Sequence, residues 1–212
     1  MLTLATRGLR PEQVAQTVAS IVHAGGLAIF PTDTVYGIGC DPAREDSVER
    51  IFAAKGRPRN KPLSLHFGSV EELLVYAAGN ELAVRAARHF LPGPLTIVVR
   101  RPPSVGAFVT GGLDTLGLRV PNHALCQTIL RMSGPLAATS ANLSGSTAYS
   151  GAGTVTDLPD ADVLVDDGPT PLGAESTVID MCGKQSRLVR EGAIGAAMLE
   201  DVLGPLEGRN GR

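Results

Sequence analysis

Residues 27–67 read LAIFPTDTVYGIGCDPAREDSVERIFAAKGRPRNKPLSLHF, a stretch that combines an apolar run, a basic segment and a strictly alternating segment. The apolar run, residues 27–30, is broken by Pro31 and followed by the polar cluster Thr32-Asp33-Thr34. Buried strands commonly end in this way, and open α/β sheets bind their ligands at the carboxyl ends of strands. We therefore expect hydroxyl groups at the edge of a sheet, facing a ligand site.

The basic segment places four cations within seven positions, with glycine and prolines between them. A charge run of this kind is most often a solvated surface. The presence of Gly56, Pro58 and Pro62 favours instead a loop with a defined backbone conformation, which would hold its cations in fixed directions. The cations are Lys55, Arg57, Arg59 and Lys61.

The alternating segment Leu63–Phe67 predicts a strand with two chemically different faces. Ser64 and His66 share one face, and the three apolar residues share the other. Taken together, the three segments predict a groove for an anion-bearing ligand, with hydroxyls on one wall and cations on the other.

Composition narrows the class of protein. The 212 residues are 43% hydrophobic and carry a net charge of −2, which excludes a disordered or strongly basic chain and confines any nucleic-acid contact to a local patch. Aromatics make up only 4% and Trp is absent, which argues against base-stacking platforms. Cys40, Cys126 and Cys182 form no CxxC pair, as expected in a reducing compartment, and no apolar run approaches about eighteen residues. We expect a cytoplasmic protein without a membrane segment.

The remaining pattern predicts one α/β domain over residues 1–212, with a twisted, mixed β-sheet and flanking helices around a basic concave groove. Residues 102–115 and 145–160 are predicted as loops, and 204–212 as a polar tail. Six helices are predicted. They run from Pro11 to about residue 24, from a capping box at Asp46 to Lys55, after Ser69, from Asn80 to Leu91, from an Asn122 cap to about Ser133, and from about Gly195 to Leu203. Strands are predicted at 27–30, 63–67, 95–99, 116–120, 135–138, 163–165, 176–179 and 187–189.

Familiar catalytic motifs are missing from the sequence. It contains no GxxxxGK[ST], no GxGxxG after a strand, no HExxH and no GxSxG. An enzyme built from this chain would therefore work by positioning its reactants and stabilising charge, without a covalent nucleophile.

Seven segments, in chain order, carry a resemblance to a known family: PTDTVYGIGCD, KGRPRNKPLSLHF, PGPLTIVV, LGLRVP, ATSANLSG, ESTVID and VREGAI. They resemble the short, TsaC-like form of the YrdC-type L-threonylcarbamoyladenylate synthases. The resemblance runs from about Gly25 to Leu203, and its signature pair is a Lys-x-Arg element with a later Ser-x-Asn element. It implies an enzyme that condenses L-threonine, bicarbonate and ATP to threonylcarbamoyl-AMP and pyrophosphate. A downstream partner then uses this product to modify an adenosine of tRNA.

The resemblance also implies roles for individual residues. Lys55, Arg57, Ser140 and Asn142 form the signature pair and carry catalysis. Mg²⁺ is implied as a cofactor held mainly by the ATP phosphates, with Asp33 and Glu175 as nearby carboxylates. The residues implied for L-threonine are Thr34, His66, Arg119, Ser140 and Ser176; those implied for ATP are Lys55, Arg57, Lys61, Thr115, Asn142, Ser150 and Arg190.

Two other interpretations remain open from the sequence. A basic groove also suits the phosphate backbone of double-stranded RNA, although the net charge of −2 argues against RNA binding as the main activity. A carbamoyl-adenylate-forming transferase is the second, because similar domains occur in hydrogenase-maturation proteins. Each candidate residue alone also has a structural explanation. Thr32 and Thr34 can cap a turn, and Ser140 with Asn142 can form an Asx-type turn. His66 can be a packed core histidine, and Arg119 can pair with Asp114 or Asp166.

Overall fold

The computed structural model describes residues 1–151 and 158–208, which form a mixed sheet of ten strands with helices on both faces. The helices are α1 Pro11–His23, α2 Glu45–Lys55, α3 Val70–Tyr76, α4 Glu81–Phe90, α5 Ala124–Ser133 and α6 Ala196–Leu203, with a short 3₁₀ helix at Ala107–Thr110. The strands are β1 Leu2–Ala5, β2 Ala28–Phe30, β3 Gly37–Cys40, β4 Ser64–His66, β5 Leu95–Arg100, β6 Thr115–Arg119, β7 Leu136–Ser140, β8 Val163–Asp166, β9 Thr177–Asp180 and β10 Arg187–Arg190.

The strand order is β1-β8-β2-β3-β7-β4-β6-β5-β9-β10, with parallel and antiparallel neighbours in the same sheet. The prediction of an α/β fold with a mixed sheet is confirmed. The predicted strand and helix positions are also confirmed to within a few residues, apart from the corrections below.

The two faces of the sheet are covered unequally. On one face, residues of α2, α3, α4 and α6 pack on Ile29, Leu65, Leu118 and Ile179 in the larger hydrophobic core. On the other face, the smaller core joins α1 and α5 to β2, β7 and β8. Among residues 1–151 and 158–208, no helix covers the second face of β4, β6, β5 and β9, and this is where a ligand can reach the sheet.

Three predicted features are wrong. The helix α2 begins at Glu45 after Arg44, which has no side-chain cap, so the predicted capping box at Asp46 lies inside the helix. The cap of α5 is His123 and not Asn122: its ring accepts a hydrogen bond from the N–H of Cys126. Residue 115 is not in a loop, because it begins β6.

Two strands were not predicted from the sequence. The strand β1 lies at the sheet edge and is mostly exposed, so it shows no apolar alternation; it pairs only with β8. In β3, Gly37 and Gly39 interrupt the pattern, yet the ring of Phe30 lies over both glycines, within about 3.3 Å of where a Cβ would be. A Cβ at either position would crowd this ring, which would have to move by a few tenths of an ångström.

Part of the predicted loop 145–160 and of the predicted tail 204–212 lies outside the described residues. Residues 145–151 and 158–160 are irregular as expected, and α6 ends at Leu203. Within the described ranges, no helix is long and apolar enough to cross a bilayer.

Candidate functional site

A cavity of about 440 Å³ occupies the uncovered half of the sheet. This volume lies within the roughly 300–1,000 Å³ typical of small-molecule sites. Its floor consists of the side chains that alternate away from the larger core. Ser64 and His66 of β4 are among them, as the alternation of residues 63–67 predicts.

Strand pairing sets the floor residues side by side. Ser64 pairs with Gly117, which pairs with Val98; Val98 in turn pairs with Asp180, and Asp180 with Arg187. A second row holds the pairs His66 with Arg119 and Thr96 with Val178, next to Arg190. All of these residues line the cavity. Residues far apart in the chain thus share one surface because the sheet brings their strands together.

Gly117 gives the middle of this floor its depth. A Cβ at this position would lie 2.5 Å from Oγ of Ser64 and 3.2 Å from Cγ2 of Thr96. No side chain can be added there without moving its neighbours. The floor of the cavity is therefore formed here by backbone, between the side chains of Ser64 and Thr96.

The buried end of the cavity, formed by Thr34, His66, Arg119 and Ser176, is organised around an ion pair. Arg119 is only 5% exposed, and its Nη2 donates to Oδ1 of Asp33 at 2.6 Å and to Oγ1 of Thr34 at 2.8 Å. Burial lowers the pKa of Arg119 and the Asp33 carboxylate raises it. An arginine keeps its proton in such a setting, so the pair is ionic.

The loop after β2 fixes both partners of Arg119. Oγ1 of Thr32 donates to the carbonyl of Val35 at 2.6 Å and accepts the N–H of Thr34 at 3.1 Å. The carbonyl of Thr34 accepts a hydrogen bond from Oγ1 of Thr170 at 2.8 Å. Thr32 therefore holds the turn, as its structural interpretation suggests, whereas Thr34 also presents its hydroxyl to Arg119.

His66 is electrically neutral at this end. Burial, with Arg119 nearby, lowers its pKa to about 3. Its Nδ1 is buried and has no hydrogen-bond partner among the described residues. The imidazole can therefore donate or accept a hydrogen bond but carries no charge near pH 7.

Ser176 connects the buried end to the exposed end, which we define as Arg57, Lys61 and Arg190. Its Oγ lies 2.9 Å from Oγ1 of Thr96, and its carbonyl accepts from Arg190 Nη2 at 2.9 Å. Arg190 also donates to Glu175 at 2.7 Å, in a half-exposed ion pair. The Arg190 guanidinium is thereby held at the cavity wall.

Arg57 is positioned by backbone oxygens alone. Its Nε donates to the carbonyl of Lys61 at 2.9 Å, and its Nη2 donates to the carbonyl of Pro62 at 3.0 Å. Within residues 1–151 and 158–208, no carboxylate forms a salt bridge with it; by contrast, Arg59 pairs with Glu49 and does not line the cavity. Arg57 thus offers an unneutralised charge to a ligand.

Lys55 lies behind the cavity wall. The side chain is 2% exposed, and its Nζ donates to the backbone carbonyls of Ser140 and Asn142. Burial lowers its pKa to about 8, while two carbonyl acceptors stabilise the ammonium form. Lys55 therefore joins the end of α2 to the end of β7, which carries Ser140, and to the turn after it, which carries Asn142.

Most of the residues implied by the resemblance meet at this cavity. Thr96, Asp180 and Arg187 line it too and were not among them; of these, Thr96 has a sequence signal, because it is the polar residue in an apolar strand. Asp33, implied only as a carboxylate near the metal ion, lies behind the lining and bonds Arg119. Lys55, Asn142 and Ser150 do not line the cavity. The residues that do are Thr34, Arg57, Lys61, His66, Thr115, Arg119, Ser140, Ser176 and Arg190.

The carboxylates of the cavity define its capacity for a metal ion. Glu175 pairs with Arg190 and Asp180 with Arg187, while the nearby Asp33 pairs with Arg119. In the described part of the chain, no group of three or more His, Cys, Asp or Glu residues is arranged to hold a metal ion.

Fold and site together define an α/β protein with a cavity of small-molecule size on the open face of a mixed sheet, between a charge-paired end and a cationic end. A family model described as Telomere recombination, covering the Sua5, YciO and YrdC proteins, matches residues 20–192. The chain belongs to this family.

Individual relatives agree with this assignment. The chain is 40% identical over 199 residues to the threonylcarbamoyl-AMP synthase of Pyrococcus abyssi and 37% identical over 199 residues to that of Bacillus subtilis. The alignments cover 92% of this chain but 58% and 57% of the two relatives, so the chain spans less than three fifths of their length. The crystal structure of Pyrococcus abyssi Sua5 complexed with L-threonine matches with a TM-score of 0.89 and 37% identity, over 97% of this chain and 61% of that one.

Proposed function

We propose that this chain is an L-threonylcarbamoyladenylate synthase, a nucleotidyltransferase that condenses L-threonine, bicarbonate and ATP to threonylcarbamoyl-AMP and pyrophosphate. The observation that carries the proposal is the division of one cavity into two chemically different ends. A small ligand with a carboxylate fits the buried end, and a polyphosphate fits the exposed end. The relatives named as threonylcarbamoyl-AMP synthases and the L-threonine complex of one of them support it.

At the buried end, threonine would bind through its polar groups. Arg119 lines the cavity and has N–H groups left over after its bonds to Asp33 and Thr34. Because Nη2 is committed to these two acceptors, the N–H groups of Nη1 are the ones that would donate to the threonine carboxylate. His66, Ser140 and Ser176 add neutral hydrogen-bonding groups around it.

At the exposed end, Arg57, Lys61 and Arg190 would hold the phosphates of ATP, with Thr115 also on the lining. In the proposed reaction the threonine nitrogen takes up the carbon of bicarbonate with loss of water. The resulting carbamate oxygen attacks the α-phosphorus, and the bond to pyrophosphate breaks. Fixed cations stabilise the charge that develops on the leaving oxygens.

Lys55 and Asn142 would act from outside the lining. Lys55 holds the carbonyls of Ser140 and Asn142, so it would fix the turn that presents Ser140. The amide nitrogen of Asn142 donates to the carbonyl of Ser146 at 2.7 Å, and its Oδ1 is buried with no partner among the residues that the structure describes. In this proposal the Ser-x-Asn turn, together with Ser150 in the segment beyond it, closes the nucleotide side of the site.

Mg²⁺ is proposed as the cofactor, held mainly by the ATP phosphates. The carboxylates that line the cavity, Glu175 and Asp180, are each paired with an arginine, so they fit water-mediated contacts to a metal ion better than direct ligation. When bound, the ion would neutralise the leaving phosphate oxygens.

The product would be passed on in the cytoplasm to a second enzyme that modifies tRNA. Such a partner is needed because the threonylcarbamoyl group of the adenylate must still be transferred to an adenosine of tRNA. The exposed cations would also attract an RNA backbone weakly. Salt-dependent binding of tRNA to the purified protein is the measurement for that contact.

The main test is pyrophosphate release by the purified protein with ATP and Mg²⁺. We expect release only when L-threonine and bicarbonate are both present, with threonylcarbamoyl-AMP identified by mass spectrometry. Arg59→Ala is the matched control for variants of the basic loop, because Arg59 is paired with Glu49 outside the cavity. Release that ignores threonine and follows carbamoyl phosphate would assign the chain to the carbamoyl-adenylate-forming transferases.

A further inference from the structure

Asp33 is the one acidic partner of the buried end, and the proposed reaction gives it no task. The residue is 4% exposed and lies outside the cavity lining, so it does not contact a ligand there directly. Its Oδ1 accepts the short bond from Arg119, and its Oδ2 is buried without a partner among the described residues. A buried carboxylate this incompletely bonded is costly, which calls for a functional explanation.

The charges around Arg119 nearly cancel. Asp33 offsets the guanidinium, and His66 is neutral because burial lowers its pKa. Beyond Asp33, His123 lies 3.5 Å from Asp167, and burial lowers the pKa of His123 as well. The other groups at this end are hydroxyls, so the net charge of the buried end is close to zero.

Charge balance decides which ligands a buried site accepts. An arginine without a counter-charge would attract any small anion, since charge attraction is strong where water is excluded. An arginine paired with a carboxylate still directs its remaining N–H groups at a ligand carboxylate, but adds no net attraction for anions. Such a site favours a ligand that is itself neutral overall, such as an amino acid zwitterion.

We propose that Asp33 is a positioning and specificity-determining residue: its carboxylate orients Arg119 and keeps the buried end neutral, so that the site selects zwitterionic amino acids over anions of the same shape. The inference rests on the proposed function, which puts an amino acid at this end. It assigns Asp33 a task that is separate from binding the nucleotide, the metal ion or threonine itself.

The test compares two ligands of nearly equal shape in calorimetric titrations. L-Threonine is a zwitterion, and 2,3-dihydroxybutanoate replaces its ammonium group with a hydroxyl and is an anion. We expect wild-type protein to bind threonine at least about tenfold more tightly than the anion. In Asp33→Asn, which keeps an oxygen acceptor for Arg119 but loses the charge, the anion should gain affinity and the preference should fall by about tenfold or more.

The matched control is Asp162→Asn, which removes the carboxylate of another arginine pair, with Arg50 at 2.8 Å, away from the cavity. Its preference should equal that of wild type. A merely structural role for Asp33 would weaken both ligands together and leave their ratio unchanged, which would overturn the inference.

Three further outcomes keep the inference separate from the proposed function. If Asp33→Asn does not fold, the test is the binding of the two ligands to the wild-type protein. An anion that binds as tightly as threonine would then overturn the inference. If wild-type protein forms no product and binds no threonine, the proposed function has failed. A protein that turns over threonine while Asp33→Asn keeps the full preference has the proposed function without the proposed selectivity.

Discussion

At the buried end of the cavity, the guanidinium of Arg119 has a carboxylate partner, whereas at the exposed end that of Arg57 is held only by backbone carbonyls. Both arginines are fixed in direction, but only Arg57 keeps its full charge available. The difference shows two ways of using the same side chain. At the buried end arginine supplies hydrogen-bond geometry, and at the exposed end it supplies charge.

The largest expected effect comes from removing the available charge. Arg57→Ala should lower turnover by roughly 10²–10³, because a fixed cation that stabilises a leaving group is lost. The variant should still fold, and its loss of stability should be smaller than that of a Lys55 variant, because Arg57 is only partly buried and the carbonyls of Lys61 and Pro62 can bond to water instead. Steady-state pyrophosphate release measures the effect, with Arg59→Ala as the control expected near wild-type rates. Near-normal turnover in Arg57→Ala would mean that the basic loop is a solvated surface.

A smaller effect is expected where arginine supplies geometry. Arg119→Lys keeps a positive charge but loses the planar fork, so threonine binding should weaken by roughly 1.5–3 kcal/mol while ATP binding stays nearly constant. Calorimetric titration with each ligand separately gives both numbers. A variant that loses ATP affinity and retains threonine affinity would place Arg119 at the phosphate end and reverse the comparison.

Lys55 is a third kind of cation, because it lines neither the buried end nor the exposed end of the cavity. Its place at a helix end suggests from the sequence that removing it leaves the fold intact. Since the side chain is buried and serves two carbonyls, we expect Lys55→Met to lower the free energy of unfolding by about 1–3 kcal/mol. Urea denaturation measures this, with the exposed Lys184→Met as control. Unchanged stability together with lost turnover would instead place Lys55 in contact with the phosphates.

The smallest expected effect is a pH dependence of stability that arises at the buried end. The folded protein keeps His66 neutral down to a pKa of about 3, whereas the unfolded chain protonates it near pH 6.5. Stability from this group is therefore full above about pH 6.5 and is lost as the pH falls, by about 1 kcal/mol at pH 5.5. His66→Gln should show a flatter dependence between pH 7 and 5.5 in denaturant titrations. Equal slopes in the two proteins would contradict a buried, neutral His66.

Sequence patterns predict correctly those structural features that depend on residues close together in the chain. The alternation of residues 63–67 places Ser64 and His66 on the cavity floor, and the Asn80 cap of α4 is found as expected. Such patterns do not predict features that depend on contacts between residues far apart in the chain. The edge strand β1 exists because β8 is available to pair with it, and Asp33 meets Arg119 across 86 positions in the chain.

The same limit applies to Lys55, whose charge the sequence places beside the phosphates. Periodicity shows that the residue ends a helix, but its burial depends on the turn after β7, which approaches from a distant part of the chain. Segments found by resemblance identify the residues that meet at the cavity. They do not show which of these residues neutralise one another, because that depends on side-chain geometry after folding.

Gly117 affects both the stability of the sheet and the shape of the cavity. Glycine in a strand costs roughly 0.5–1 kcal/mol relative to alanine, because it has more freedom to lose on folding. The protein keeps that weakness at the centre of its sheet, where a Cβ would lie 2.5 Å from Oγ of Ser64. A Gly117→Ala change would reduce the freedom that the strand loses on folding, but it would also displace Ser64 and put a methyl group on the cavity floor. Selection for heat resistance at this position would therefore act against the open space of the cavity.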